Sequence, residues 1–486
     1  MSPSLNDSQL LKSQAYVGGE WAPAGAGATF PVINPATGEA LGTVPDMTAV
    51  DARQAIAAAE EAFPEWRAMP ARKRSKLLRK WYDLITEHAD DLGRLLTAEQ
   101  GKPHAEARGE VLGGAAYVEW FAEEAKRIDG DLLPPQGPGQ RELVLKQPVG
   151  VVGAITPWNF PSSMITRKVS PALAAGCPVV IKPAEDTPLS ALALAELAYR
   201  AGIPAGVVNV ITASHGAEVG GELATNSKVR KLSFTGSTAV GKLLMSQASD
   251  TVKKISLELG GNAPFLVFED ADLDAAVQAA TMMKFINSGQ TCICVNRLMV
   301  HEKVYDAFMD KFTAAVDQLN VGNGAEKGVT TGPLINDKGL QKVESLVSDA
   351  LHHGATPVRG GQRHELGRTF YQPTVLADVN PDMACFGNEI FGPVAPVYRF
   401  SSEEEAVRLA NDTPYGLASY FFTRDAGRMW RVGEALEYGM VACNTARFVH
   451  EGMPFGGFKE SGIGREGSKY GIEEYLETKF LCMGGL

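Results

Sequence analysis

Apolar residues recur at helical spacing early in the chain. Residues 51–66, 72–99 and 105–127 place apolar side chains at positions i, i+3 and i+4, so each segment is expected to form a helix with one buried face. Ahead of them, the Gly-Gly pair within residues 16–21 predicts a β-hairpin. The Pro and Gly within residues 34–39 predict a turn between two short strands.

From residue 149 onward, short apolar runs alternate with helical segments. Helices such as 162–175 and 188–201 separate strands that are predicted at residues 149–155, 178–182, 207–211, 231–234 and 255–259. A second series of the same kind begins at residue 263 and continues beyond residue 415. Alternating strands and helices form doubly wound parallel sheets, which bind ligands at the carboxyl ends of their strands. We therefore predict an α/β fold.

Two segments stand outside this alternation. Residues 129–148 contain a loop rich in Pro and Gly followed by an alternating strand, and residues 474–482 alternate weakly, a pattern that can form a further strand. The first segment lacks a core of its own. It is expected either to pack on another subunit or to form a plain surface hairpin.

Composition narrows the class of protein. The 486 residues exceed what one hydrophobic core usually supports, so at least two domains are expected. A net charge of −11 without a basic tract argues against nucleic-acid binding. No apolar run has membrane-spanning length, the N-terminus lacks the features of a signal peptide, and six cysteines are too few for a disulfide scaffold. Together these features predict a cytoplasmic protein that binds neither membrane nor nucleic acid.

Cys292 lies at a junction between a helical run and an apolar run, just beyond Gly289 and Gln290. Junctions are where a scaffold presents reactive groups, and a reactive cysteine needs surroundings that lower its thiol pKa. Most cysteines are instead small buried apolar residues, so its position alone does not identify a nucleophile.

Two loops that follow predicted strands suit a dinucleotide. Gly236 permits a tight turn and Ser237 can cap the next helix, whose free N–H groups favour a phosphate. Lys182 and Glu185 follow another strand, and a carboxylate there would accept ribose hydroxyls and repel a 2′-phosphate, which favours NAD over NADP. An ordinary capped turn and a solvated ion pair would show the same residues.

Two other loops hold candidate catalytic groups. Asn159 lies between two prolines, and an immobilised amide can donate to a developing oxyanion, although a turn Asn bonded to its own backbone is the alternative. Glu258 lies between two leucines, where partial burial would raise its pKa toward that of a useful base. A solvent-facing strand residue would look the same.

Seven short motifs occur in one order along the chain. They are Pro157-Trp158-Asn159-Phe160, Lys182-Pro183-Ala184-Glu185, Phe234-Thr235-Gly236-Ser237-Thr238, Leu257-Glu258-Leu259-Gly260-Gly261, Gly289-Gln290-Thr291-Cys292, Glu389-Ile390-Phe391-Gly392-Pro393 and Pro454-Phe455-Gly456-Gly457. Through them the chain resembles the NAD(P)-dependent aldehyde dehydrogenase superfamily over essentially its whole length. The ordered set is specific, whereas each motif alone is weak.

The resemblance implies a role for each matching residue. Cys292 would be the nucleophile that forms a thiohemiacetal and then a thioester, Asn159 and the Cys292 backbone N–H would form the oxyanion hole, and Glu258 would activate water. Lys168 is a further expected catalytic residue, and no metal is expected. The expected cofactor contacts are Thr156, Pro157, Trp158, Lys182, Ala184, Glu185, Gly236, Ser237, Glu389 and Phe391.

The resemblance also implies an organisation in domains. Residues 1–128 and 149–260 would form the NAD-binding domain, and residues 261–460 the catalytic domain. Residues 129–148 and 470–486 would form an oligomerisation element, giving a homo-oligomer, either a dimer or a tetramer. NAD is the expected cofactor, with NADP as the alternative.

The substrate is expected to be a small anionic aldehyde. Residues 159–168, 291–294 and 464–471 are similar to the succinate-semialdehyde dehydrogenase branch, in which Arg167 would hold a carboxylate bidentately. Two other carboxylate contacts that are usual in that branch are replaced here by Ile286 and Val449.

Arg447 and His450 lie close in sequence to Val449 and can rebuild an anion site of different shape. Succinate semialdehyde, or a relative with another acid group such as sulfolactaldehyde, is therefore expected. A less polar or aromatic aldehyde is the alternative, because Ile286, Phe448 and Val449 would line its site well.

Three further alternatives remain open at this level. The chain can be a catalytically silent binding protein of the same fold, against which the intact catalytic residues argue. It can be an acylating enzyme that uses coenzyme A, although Glu258 suits hydrolysis. In the similar branch a pair such as Cys292 and Cys294 can form a redox-sensitive disulfide, and an inert buried Cys294 is the other interpretation.

Overall fold

The computed structural model describes residues 3–485, and the first of its two large sheets has eight strands. Their spatial order is Glu20–Ala22, Ala15–Val17, Val208–Val210, Val179–Lys182, Val151–Ile155, Val229–Thr235, Lys254–Glu258 and Gly462–Ile463. The five strands from Val208–Val210 to Lys254–Glu258 are parallel, and the outer strands are antiparallel to their neighbours. The five strands predicted from the apolar runs are thus confirmed.

Helices cover this sheet, which explains why its central strands are buried on both faces. They are Ala49–Ala68, Ala71–Glu87, Ala89–Gln100, His104–Glu124, Ser163–Ala175, Pro188–Ala201, Gly216–Thr225 and Thr238–Ala248. The single helix expected over residues 72–99 is wrong, because the chain breaks at His88. Asp90 and Asp91 lie in the first turn of the new helix, where the helix dipole stabilises their charge.

The second large sheet has seven strands and contains the second α/β series. Their order is Thr356–Arg359, Thr374–Ala377, Val394–Phe400, Val295–His301, Ala263–Val267, Ala418–Phe422 and Met440–Cys443, all parallel except the first. The accompanying helices are Leu273–Phe285, Tyr305–Val316, Asp337–His352, Ala384–Gly387, Glu403–Asn411 and Ala426–Ala435. None of the helices within residues 3–485 has both the length and the apolar character needed to cross a membrane.

A small antiparallel sheet joins the two segments that stood apart in the sequence. Its strands are Leu476–Met483, Arg141–Pro148 and Asp131–Leu133. The strand expected in the tail is therefore confirmed, and it pairs with the expected hairpin. The remaining short elements are the strand pairs Thr29–Ile33 with Ala40–Pro45 and Tyr415–Gly416 with Phe458–Lys459, and the helix Ser468–Glu473.

The two large sheets meet where the first one ends. Residues 259–262 connect the carboxyl end of Lys254–Glu258 to the amino end of Ala263–Val267. A Cβ added at Gly261 would lie 2.2 Å from the carbonyl oxygen of Cys292, so this connection passes against the predicted nucleophile. The carboxyl edge of the first sheet thus adjoins the loop that precedes Val295–His301, and the candidate active site lies at this junction.

Candidate active site

Cys292 lies in the wall shared by two cavities. One cavity, of about 410 Å³, is lined by loops at the carboxyl ends of the first sheet. The other, of about 470 Å³, is lined by the helix Ser163–Ala175, the end of Leu273–Phe285 and the loop around residues 446–451. Met164 is the second residue common to both cavities. A molecule in either cavity can therefore reach the Cys292 thiol.

The loop that carries Cys292 is a tight turn in left-handed backbone. After the helix Leu273–Phe285, Asn287, Ser288 and Gly289 all have positive φ angles. A Cβ at Gly289 would lie 2.1 Å from the carbonyl oxygen of Gly392, so glycine is required there for space as well as conformation. These constraints fix the direction in which the loop presents Cys292.

Glu258 and Cys292 form an electrostatically coupled pair. Glu258 is 3% exposed and neither carboxylate oxygen has a hydrogen-bond partner. Burial, followed by the charge of Glu466, raises the Glu258 pKa to about 7. Burial and the charge of Glu258 raise the pKa of the Cys292 thiol well above its usual range. The expectation that the surroundings lower the pKa of this thiol is therefore wrong for the resting site, which holds a neutral thiol beside a carboxylate that can take up its proton.

Asn159 is buried and held from several sides. Its Nδ2 donates to the carbonyl oxygen of Gln290 at 3.0 Å. Its own backbone carbonyl accepts from Lys102 Nζ at 2.7 Å and from Asn287 Nδ2 at 3.0 Å. An amide nitrogen has two N–H groups, so one remains for a substrate oxygen. The immobilised amide expected from the sequence is thus present.

Most of the predicted cofactor residues line the 410 Å³ cavity, which we call the cofactor cleft. These are Pro157, Trp158, Glu185, Gly236, Ser237, Glu389 and Phe391. Thr156, Lys182 and Ala184 are buried behind it. Lys182 Nζ nevertheless donates to Glu185 Oε2 at 3.2 Å, so it acts on the cleft through that carboxylate.

The cofactor cleft fits a dinucleotide. Ser237 caps the helix Thr238–Ala248 by accepting from the Val240 N–H, as its position predicted, so this N-terminus opens on the cleft. Glu185 and Glu389 are carboxylates that can each accept hydrogen bonds from a ribose diol. Lys338 and Lys342 also line the cleft and add positive charge for a pyrophosphate. No motif pointed to these lysines, because only tertiary packing brings their helix to the cleft.

The three predicted substrate residues all line the 470 Å³ cavity, which we call the substrate funnel. Arg447 and His450 are exposed, whereas Arg167 is buried. The rest of the lining is largely apolar and includes Tyr117, Phe160, Met282, Met283, Ile286, Phe448, Val449 and Phe455. The funnel therefore combines an apolar wall with cationic groups at different depths.

Glu466 is a buried member of the site to which sequence reasoning gave no role. Its Oε2 lies 3.2 Å from Arg167 Nη2, and its Oε1 accepts from Lys168 Nζ. Burial alone would raise the pKa of Glu466, but the charges of Lys168 and Arg167 lower it below its usual value. Arg167 and Lys168 are adjacent cations in a buried helix, and buried charges need a partner of opposite charge. This need was the feature of the sequence that could have indicated a buried carboxylate such as Glu466.

Lys168 occupies a different place from the other predicted catalytic residues. It lines neither cavity, and its ammonium is paired with Glu466. Its charge still lowers the pKa of Glu258 against the effect of burial. Arg167, by contrast, borders the funnel: its Nη2 is paired with Glu466, its Nη1 donates to Met164 Sδ at 3.7 Å, and its Nε is buried without a hydrogen-bond partner.

Cys294 is hydrogen-bonded to backbone carbonyl groups. Its Sγ donates to the carbonyl oxygens of Lys284 and Val295, both at 3.5 Å. Cys292 and Cys294 are free thiols in this structure, and burial raises the pKa of Cys294. These contacts favour an inert neighbour, and the disulfide stays a prediction.

Comparison with known proteins gives consistent matches over the whole length. The aldehyde dehydrogenase family profile matches residues 21–481. The chain is 59% identical to glutarate-semialdehyde dehydrogenase of Pseudomonas aeruginosa, covering 99% of this chain and 100% of the relative. It is 57% identical to the NADP(+)-linked succinate-semialdehyde dehydrogenase of Escherichia coli and 56% identical to 3-sulfolactaldehyde dehydrogenase of Pseudomonas putida, each over 99% of both chains.

The fold also matches that of a solved structure over nearly the whole chain. The crystal structure of succinate-semialdehyde dehydrogenase from Burkholderia pseudomallei superimposes with a TM-score of 0.98 at 58% identity, covering 99% of this chain and 100% of that chain. The α/β architecture and the resemblance stated from the seven motifs are confirmed. This chain belongs to the aldehyde dehydrogenase family, whose enzymes use NAD or NADP.

Proposed function

We propose that this protein oxidises an aldehyde that bears a carboxylate at its other end, either succinate or glutarate semialdehyde, to the corresponding dicarboxylate with NAD. One observation carries the proposal. Cys292 separates the cofactor cleft from a funnel lined by the guanidinium groups of Arg167 and Arg447, and the Nε–H of the buried Arg167 has no hydrogen-bond partner. A carboxylate is the group that such N–H groups bind most strongly.

The proposed reaction uses three side chains around one sulfur atom. Glu258 takes the proton of the Cys292 thiol, the sulfur attacks the aldehyde carbon, and the Asn159 amide with the Cys292 backbone N–H holds the oxyanion. A bound NAD supplies one piece of chemistry, the acceptance of the hydride that leaves the aldehyde carbon, so that a thioester remains on Cys292. After Glu258 has released the first proton to solvent, it takes a second proton from the water that hydrolyses this thioester, and the acid product leaves as the Cys292 sulfur is protonated again.

The lining of the funnel suits a short chain with an acid at its end. The methylene groups of a semialdehyde can pack against apolar side chains such as Ile286 and Phe448. The distal acid can then meet Arg167 within the funnel or Arg447 at its exposed rim. Sulfolactaldehyde, named in one relative, is the second candidate, because the same cations can bind a sulfonate. A neutral or aromatic aldehyde would leave the cations unused.

We expect kcat/KM for succinate or glutarate semialdehyde to exceed that for pentanal about 10- to 100-fold, because a charge-assisted hydrogen bond contributes about 1.5–3 kcal/mol.

Arg447→Met should lower kcat/KM for the semialdehydes about two- to fivefold, since its exposed charge is screened, and leave kcat/KM for pentanal unchanged. Arg408→Met, at an exposed position outside both cavities, is the matched control. A wild-type preference for pentanal or benzaldehyde would overturn the anionic substrate.

The preference for NAD is proposed from Glu185, which is exposed at the cofactor cleft beside Lys182. Glu185→Ser should raise the ratio of kcat/KM with NADP to that with NAD at least about fivefold, because it removes a charge that repels the 2′-phosphate and frees Lys182 to bind it. Glu218→Gln removes an exposed carboxylate outside the cleft and should leave the ratio unchanged. An unchanged ratio in Glu185→Ser would refute this role.

We also propose a homo-oligomer, a dimer or a tetramer, that assembles through the small antiparallel sheet. The oligomer is supported by the apolar side chains that this sheet presents to solvent in one chain, with Leu132 71% and Phe480 57% exposed.

We likewise propose a division of the chain into an NAD-binding domain (1–128 and 149–260), a catalytic domain (261–460) and an oligomerisation element (129–148 and 470–486). The cytoplasmic location stays a prediction.

A further inference from the structure

Two residues outside the proposed reaction hold the backbone carbonyl of Asn159. Lys102 Nζ donates to it at 2.7 Å and Asn287 Nδ2 at 3.0 Å, and all three residues are buried. A backbone carbonyl has two lone pairs and can therefore accept two hydrogen bonds. Here it is fixed by two side chains that come from different parts of the chain.

Lys102 is itself held in place. Its Nζ donates to Glu110 Oε2 at 2.6 Å and lies 3.7 Å from the ring centre of Phe160. The other oxygen of Glu110 accepts from the backbone N–H groups of Ser162 at 2.9 Å and Ser163 at 3.2 Å. The ion pair therefore fastens the Asn159 loop to the start of the helix that follows it.

Asn287 links the same carbonyl to the nucleophile loop. Its Nδ2 also donates to the carbonyl oxygen of Gln290 at 3.2 Å, the group to which Asn159 Nδ2 donates. Its backbone N–H donates to Glu106 Oε2 at 2.8 Å. Its φ of 49° is a left-handed conformation that asparagine tolerates better than most residues. The side chains of Asn287 and Asn159 thus both tie the Asn159 loop to the Cys292 loop at the Gln290 carbonyl.

We propose that Asn287 and Lys102 are positioning residues that set the Asn159 amide for the oxyanion. The inference rests on the role proposed for Asn159 above. An oxyanion donor stabilises charge only when it is held close to the place where that charge develops, and a shift of about 1 Å can cost about 100-fold in rate. Asn287 and Lys102 supply that restraint from the backbone side of Asn159.

The test uses the full-length enzyme and the pre-steady-state rate of NADH formation. Asn287→Gly keeps the left-handed backbone but removes the amide, and should slow this step about 10- to 100-fold. Ser288→Gly is the matched control, because Ser288 also has positive φ but donates to Gly332 instead, and should change the rate less than about threefold. If the glycine variant does not fold, Asn287→Asp replaces it, because aspartate also tolerates this φ. It should likewise slow NADH formation.

Two further readouts separate positioning from general damage. Adding Asn287→Gly to Asn159→Ala should slow NADH formation by less than about twofold relative to Asn159→Ala alone, because the effect of Asn287 passes through Asn159. Alkylation of Cys292 by iodoacetamide develops no oxyanion, so its rate should be unchanged in Asn287→Gly. A full effect in the Asn159→Ala background, or a parallel loss of alkylation, would overturn the inference. An unchanged rate in Asn159→Ala alone would instead overturn the proposed role of Asn159.

Discussion

Cys292→Ala is expected to abolish NADH formation from every aldehyde, lowering kcat by at least about 10⁴-fold. The cofactor cleft and the substrate funnel meet at this side chain, so the substitution removes the atom that would carry the thioester. NAD binding, measured by titration calorimetry, should persist, because the proposed ribose and pyrophosphate contacts remain. Steady-state assays with succinate and glutarate semialdehyde measure the loss.

Cys294→Ala is the matched control for that variant. Cys294 is buried two residues away and bonded to the carbonyl oxygens of Lys284 and Val295, so its loss should change kcat less than about threefold. Appreciable turnover by Cys292→Ala, or equal losses in both variants, would contradict the assignment of Cys292. Reversal of peroxide inactivation by dithiothreitol in the wild type, but not in Cys294→Ala, would support the predicted disulfide.

Glu258→Gln is expected to separate the two halves of the reaction. It should still release NADH on the first turnover, more slowly, but lower steady-state kcat about 10²- to 10⁴-fold, because no base remains to activate the hydrolytic water. In the wild type, kcat should fall as pH drops through about 7, the pKa to which burial raises Glu258. The variant should lack this acid limb. A normal steady-state rate in Glu258→Gln would remove Glu258 from the deacylation step.

The same pKa predicts a change in stability. Burial raises the Glu258 pKa from 4.5 to about 7, so the folded state holds a proton that the unfolded chain releases, and stability falls as pH rises between these values. Glu258→Gln should therefore raise the melting temperature at pH 8, where the ionised buried carboxylate costs most. The gain should shrink toward pH 4.5 in differential scanning calorimetry. A melting temperature of Glu258→Gln that is lower than that of the wild type at pH 8 would contradict the burial of an uncompensated charge.

Features that repeat along the chain could be predicted from the sequence. The five parallel strands of the first sheet, the second series from Ala263 and the strand Leu476–Met483 all follow from periodicity and turn residues. The helix break at His88 does not, because the apolar spacing continues across it. The break is one residue long and leaves the pattern of apolar residues almost unchanged, so only Asp90 and Asp91, which follow it, indicate a new N-terminus.

Residues that work through tertiary contact were harder to predict than residues in motifs. Asn159 and Glu258 stood out because prolines and leucines surround them in sequence. Glu466 pairs with a helix about three hundred residues earlier in the chain, and its sequence neighbours do not show that partner. Lys102 lies between the helices Ala89–Gln100 and His104–Glu124, and its sequence neighbours do not show its contact with Asn159.

The most direct test of the account is to trap the covalent intermediate. Glu258→Gln mixed with NAD and glutarate semialdehyde, quenched in acid and digested, should yield the Cys292 peptide carrying a glutaryl thioester, and omission of NAD should remove the adduct. Parallel samples with succinate semialdehyde should carry a succinyl group at the same sulfur. An unmodified Cys292 peptide despite NADH formation, or an adduct on another cysteine, would contradict the claim that the two cavities meet at the nucleophile.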